Sequence, residues 1–154
     1  MSSIALIQDF LAQKRIAVVG VSRDPKDFSR GLLRSLREHG YDAVAVNPAL
    51  TSADDTACFS NLDEVTPPVD GVLAMTSPAV TDEVVRQCAK LGIGRVWMYR
   101  AGGDGAVSPQ AIEFCREHGI KVIPGECPYM FIPRTAWFHR LHGFIKKISG
   151  AYPA

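Results

Sequence analysis

The chain has 154 residues, enough for one domain with its own core, and 47% hydrophobic with 21% charged residues is ordinary globular composition. A formal net charge of +1 gives no overall pull toward nucleic acid or an anionic surface, so no nucleic-acid partner is expected. No apolar run reaches the roughly 18 residues of a membrane-spanning helix, and the stretch MSSIALIQDFLAQKR lacks a positive leading region and holds Asp9, so neither a membrane role nor a signal peptide is expected.

In chain order, IAVVGV at 16–21 is a continuous apolar run, the mark of a strand buried on both faces. Phe28, Leu32, Leu33 and Leu36 then fall at helical spacing, with Gly40 as the stop. AVAV at 43–46 reads as a second strand, and 49–68 as an irregular polar connection with a short turn of helix around Leu62 to Val65. VDGVLAM at 69–75 is a third strand, followed by a helix that Ser77-Pro78 opens and Gly92 ends. RVWMY at 95–99 is a fourth strand, Ser108-Pro109 opens a helix to about His118, and IKVI at 120–123 is a fifth strand. Strands alternating with helices predict an α/β fold. It is a single Rossmann-like doubly wound domain over 1–154, with a five-stranded, mainly parallel sheet and helices on both faces. Such folds bind ligands beyond the carboxyl ends of the strands, where the strand order reverses.

The first strand exit carries Gly20, Ser22, Arg23, Lys26, Ser29 and Arg30. Gly20 lets a ligand approach the backbone, and the helix N-terminus near Phe28 or Ser29 suits a phosphate. The three cations are offset in part by Asp24 and Asp27. A tight turn with a solvated charge run explains the same residues, but the position at the switch point favours a ligand. The second exit is Asn47-Pro48, where an NAD site has an acid for the ribose hydroxyls; an uncharged end beside a basic first loop suits NADP or CoA better. Asn-Pro is equally at home in a plain turn. The third exit brings Thr76, Ser77 and Pro78, of which Ser77 is already explained as a helix cap. At the fourth, Gly102, Gly103 and Gly105 make a rim loop that cradles a ligand or is merely a loop.

The residues do not assemble a catalytic site. Cys58, Cys88, Cys115 and Cys127 are widely spaced, which reads as free thiols in a reducing cytoplasm, and Cys88 and Cys115 lie on helix patterns as small core residues. Cys127 after the fifth strand is the best-placed thiol, though a packed cysteine explains it more simply. His139 and His142 have no ligand partner at metal spacing, so no metal is expected. His39 and His118 each precede a helix-ending glycine, where capping explains them. The C-terminal stretch has no acid after Glu126. It carries a helical pattern over 134–148 with Arg134, Arg140, Lys146 and Lys147, read as an apolar face packing on the domain or a docking surface for a second copy or a protein partner.

Taken together, IAVVGVS, YDAVAVNP, VDGVLAMTSP, LGIGRVWMYRAGG and GIKVIPGECPYM, in this order over roughly 4–133, resemble the small CoA-binding domain proteins. These are stand-alone relatives of the CoA-binding domain of the succinyl-CoA synthetase alpha subunit. The resemblance implies coenzyme A or acyl-CoA as ligand, its ADP part lying across the exits of strands one to three at Gly20, Ser22, Ser29, Arg30, Asn47, Pro48, Thr76, Ser77 and Pro78. It implies no catalytic domain. Two departures stand out. Tyr99-Arg100 replaces a glutamine common in relatives, and no lysine follows Pro48, which shifts phosphate pairing onto Arg23, Lys26 or Arg30. Two other readings stay open: an NADP-dependent oxidoreductase-like domain, and an interaction module using the basic C-terminal helix.

Overall fold

The computed structural model describes residues 3–100 and 103–131. The predicted C-terminal helix 134–148, with His139 and His142, lies outside these residues. Along the chain come α1 (Ser3–Leu11), β1 (Arg15–Val19), α2 (Phe28–Glu38), β2 (Asp42–Val46), β3 (Ser52–Ala53), β4 (Thr56–Phe59), β5 (Gly71–Ala74), α3 (Pro78–Leu91), β6 (Arg95–Met98), α4 (Pro109–Glu117) and β7 (Lys121–Pro124). The strand order is β3-β4-β2-β1-β5-β6-β7, parallel throughout except for the edge strand β3.

The fold is α/β, mostly parallel and flanked by helices, as expected. The sheet has seven strands rather than five. The two extra ones form a hairpin inside the connection read as irregular. Asp54 (φ 52°) and Asp55 (φ 63°) make its two-residue turn, both left-handed as a tight hairpin turn between twisted strands requires. Short strands with exposed Ser52, Thr56 and Ala57 give no apolar run, so the periodicity that reveals the other five is absent here. A 3-10 turn at Leu62–Glu64 follows, close to where the sequence placed a turn of helix.

The continuous apolar strands feed two cores. Ala17, Val19, Val44, Val46, Val72 and Val96 face α3 and α4. Ile16, Val18, Ala43, Ala45, Leu73 and Trp97 face α1 and α2. Alternate residues point to opposite faces, so a strand buried twice must be apolar at every position. The crossovers β5-α3-β6 and β6-α4-β7 place their helices on one face, and β1-α2-β2 places α2 on the other. That leaves β6 and β7 bare on the α2 side. The N-terminal helix α1, which the sequence did not reveal as an element, covers them. Phe10 meets Trp97 edge-on at 5.4 Å, and Asp9 pairs with Arg95 at 2.7 Å. Switching between the two halves happens where β1 lies between β2 and β5.

Candidate functional site

The exits of β1 and β5 touch through their backbones. Gly20 sits at φ +94°, and a Cβ there would lie 2.5 Å from the Met75 carbonyl oxygen. Only glycine satisfies both the dihedral and the space, and this contact fixes the direction in which the first loop leaves the sheet.

Hydrogen bonds among its own residues hold the loop. Asp27 is the N-cap of α2 and accepts from the Ser29 N–H at 2.9 Å and the Ser29 hydroxyl at 2.6 Å. Ser29 Oγ in turn accepts from the Ser22 N–H at 2.8 Å. Ser22 Oγ accepts from the Asp24 N–H at 3.1 Å, and Asp24 from the Lys26 N–H at 2.9 Å. The bonds from Ser29 hold the Asp27 carboxyl below the usual carboxylate range. Ser29 is thus a buried strut of the loop.

Arg30 is buried as well. Its guanidinium donates to the carbonyls of Ser22 (3.3 Å) and Arg23 (3.2 Å) and pairs with Asp54 at 2.8 Å. Arg34 reaches the same Asp54 carboxylate at 3.2 Å and donates to the Pro25 carbonyl at 3.1 Å. The hydrogen bond from Arg30, with the charges of both arginines, holds the Asp54 carboxyl low against its desolvation. The β3–β4 hairpin therefore buttresses the first loop through one carboxylate and two arginines. Arg23 and Lys26 are exposed, and their side chains have no partner among the described residues.

Asn47 ties the second exit to the first. Its Nδ2 donates to the Val21 carbonyl at 2.7 Å and its Oδ1 accepts from the Ala49 N–H at 2.8 Å. At the third exit Thr81 donates to the Ala106 carbonyl at 2.8 Å, so its one proton is used and Thr76 is the donor across the 2.7 Å contact between their hydroxyls. Ser77 is exposed. It is the N-cap of α3, but its side chain makes no cap bond, and Pro78 takes the first helical position. The sequence-predicted residues thus surround one corner of the sheet: Gly20, Ser22, Ser29 and Arg30 on the first loop, Asn47 and Pro48 beside it, and Thr76, Ser77 and Pro78 across from it.

Between these exits and α3 lies a cleft of about 330 Å³, with Val46, Pro48 and Val80 as apolar walls and Asn61, Glu83 and Gln87 among its polar lining. Of these the sequence reading named only Pro48. Val80 and Glu83 sit one turn into a helix whose start was recognised, so helical periodicity held the signal. Asn61 follows β4, and with that strand unseen its exit was unseen too.

The arrangement offers loop backbone, two free cations and a half-apolar cleft. It does not offer an activated nucleophile. Burial pushes the Cys88 thiol up to about 12 and Cys115 up to about 11, and it raises Cys127 as well, so these thiols stay protonated at neutral pH. All four cysteines are free. His39 and His118 cap α2 and α4, their Nδ1 atoms on the carbonyls of Ser35 (2.7 Å) and Phe114 (2.8 Å), as the sequence suggested.

The family model for the CoA binding domain matches residues 14–133, which span every strand and both loops of the site. The chain belongs to the CoA-binding domain family. Within the family's reach, YneT of Bacillus subtilis is 30% identical over 130 residues, covering 81% of this chain and 90% of that protein. A hypothetical protein from Pyrococcus horikoshii OT3 shares the fold with a TM-score of 0.75 and 24% identity, over 83% of this chain and 87% of its own. The dinucleotide-forming acetyl-coenzyme A synthetase 1 of Ca. Korarchaeum cryptofilum matches with a TM-score of 0.59 and 23% identity, over 71% of this chain but 25% of that one. The same fold thus also occurs as one part of a much longer chain. No helix among the described residues of this member is long and apolar enough to cross a membrane.

Proposed function

We propose that this chain binds CoA or acyl-CoA and leaves the chemistry to other proteins. The ADP part lies across the exits of β1, β2 and β5, the base in the cleft against Val46, Pro48 and Val80, and the phosphates over the first loop. The observation that carries this reading is Gly20, pressed at φ +94° against the Met75 carbonyl at the switch point of a family member. Arg30 is committed to Asp54 and to two loop carbonyls, so phosphate pairing falls to the exposed Arg23 and Lys26. Asn47, Ser29 and Arg30 act as positioning residues that shape the loop. Ser22, Thr76 and Ser77 are the hydroxyls nearest the ligand's path.

Calorimetry with CoA tests the proposal. Binding in the micromolar range or tighter is expected, weakened about tenfold in the Arg23→Ala/Lys26→Ala double variant and with a shallower salt dependence. Clear binding of NADPH with none of CoA would overturn it in favour of the oxidoreductase-like reading. The four free thiols fit a reducing cytoplasm, which cell fractionation tests. The segment 134–148 remains the proposed contact for a second copy or a protein partner; an unchanged oligomeric state and unchanged pull-down partners on deleting 134–154 would count against it.

A further inference from the structure

Two tyrosines meet one exposed phenylalanine on the far side of the first loop from the cleft. Phe28 opens α2 directly after the Asp27 cap, and it stays 41% exposed. Its ring lies 5.2 Å from the Tyr99 ring at 31° and 5.2 Å from the Tyr129 ring at 83°. Tyr99 leaves β6; its N–H donates to the Ala74 carbonyl at 3.0 Å and its carbonyl accepts from the Ala106 N–H at 2.8 Å. Tyr129 follows β7. Both tyrosines pack, with Met75, on the core that faces α1 and α2, whereas the cleft opens toward α3 on the opposite face. A lone exposed apolar side chain is ordinary. Three rings in contact at the carboxyl edge of a parallel sheet make one apolar surface where such folds take ligands.

The hydroxyls of the two tyrosines differ. Tyr129 Oη lies 3.2 Å from Ser35 Oγ on α2. The Tyr99 hydroxyl has no hydrogen-bond partner among the described residues, although the residue is half-buried and tyrosine in such places ordinarily finds an acceptor. Burial, with Cys127, Asp27 and Tyr129 adding to it, raises this hydroxyl above the ordinary range, so it carries its proton at neutral pH.

We infer that these rings receive the acyl group of a short apolar acyl-CoA, with the Tyr99 hydroxyl donating to the thioester carbonyl, so that the chain prefers acyl-CoA to free CoA. This rests on the CoA reading and names the form of the ligand. With the base in the cleft and the phosphates over the first loop, the thiol arm continues past β1 and β5 to the exits of β6 and β7, where the rings lie. A thioester differs from the free thiol in a carbonyl acceptor and an apolar tail. The unpaired hydroxyl suits the first and the rings suit the second. Each methylene moved from water onto apolar surface is worth about three- to fourfold in affinity, and a donor left without its acceptor disfavours the ligand that lacks one.

The test uses the full chain and three ligands that differ only at sulfur: CoA, the thioether S-butyl-CoA and the thioester butyryl-CoA. By calorimetry the wild type is expected to bind S-butyl-CoA about tenfold more tightly than CoA, and butyryl-CoA about fivefold more tightly than S-butyl-CoA. Tyr99→Phe keeps the ring and brings the second ratio to about one. Phe28→Ser brings the first to about threefold or less. Side chains that serve only the fold would move Tm and leave both ratios alone. Equal wild-type affinity for CoA and butyryl-CoA overturns the inference and leaves the CoA reading standing; no binding of any of the three removes both. An unchanged second ratio in Tyr99→Phe overturns it, as does an unchanged first ratio in Phe28→Ser, which together with lost self-association would give the rings to a second copy. A loss in Phe28→Ser as large for adenosine 3′,5′-bisphosphate as for butyryl-CoA would put the base on these rings and overturn it as well. Should Phe28→Ser fail to fold, the wild-type and Tyr99→Phe ratios decide.

Discussion

Two helices begin at the same corner of the sheet, and they begin differently. α2 is sealed by its own chain: Asp27 brings a carboxylate to the helix end, Ser29 joins it, and Arg30 and Arg34 bind the loop to Asp54. α3 starts with an exposed serine that caps nothing with its side chain and a proline that has no N–H to satisfy. The sealed end is a preformed wall whose shape is set before any ligand arrives. The open end borders the cleft and has polar capacity to spare. A nucleotide site needs both, since ordering a loop on binding costs affinity.

The largest effect is expected where the two ends meet. Gly20→Val places a β-branched side chain at φ +94° and drives its Cβ into the Met75 carbonyl. A loss of about 3 kcal/mol or more in urea unfolding is expected, together with loss of CoA binding. Asp54→Asn removes the charge that two arginines share and leaves Arg30 buried with two loop-carbonyl bonds from Nη1 and no charged partner at Nη2; about 2 kcal/mol is expected, more than a surface pair contributes. Asp54 also has a pH signature. Its carboxyl is held below the ordinary value of 3.8, so its contribution is complete above that value and is lost as pH falls through the lower folded value. Acid unfolding of the wild type is therefore expected to lose stability below about pH 4 that Asp54→Asn no longer has to lose.

Asp27→Ala removes a bonded cap and is expected to cost about 1 kcal/mol by denaturant melts. Ser77→Ala, its counterpart on α3, is expected to stay within about 0.5 kcal/mol, because no cap bond is broken, while weakening CoA binding. Equal stability losses in the Asp27 and Ser77 variants would erase the contrast between the two ends.

Much of this corner was legible from the chain. Gly20, the Ser-Pro helix start and the Asn-Pro exit are local features, and local sequence carries them. The burial of Arg30 was not legible. Three cations in one basic loop look alike on paper; which one turns inward depends on Asp54, twenty-four residues on, in a hairpin too short and too polar to announce itself. α1 escaped notice for a related reason, since an apolar stretch at a terminus acquires meaning only from the bare face of β6 and β7 that it covers.

By itself, then, the sequence determined the class of fold and named residues that the fold gathers at one corner of the sheet. Doubly buried strands must be apolar throughout, and a helix must announce its ends in caps and glycines. Only the tertiary structure decided which polar groups in that corner are free. Hydrogen-bond partners come from distant segments, and a side chain's chemistry is what remains after those partners have taken their share. Arg23, Lys26, Asn61 Oδ1 and the Arg30 Nε–H are left over; Ser29, Asn47 and the rest of the Arg30 guanidinium are not.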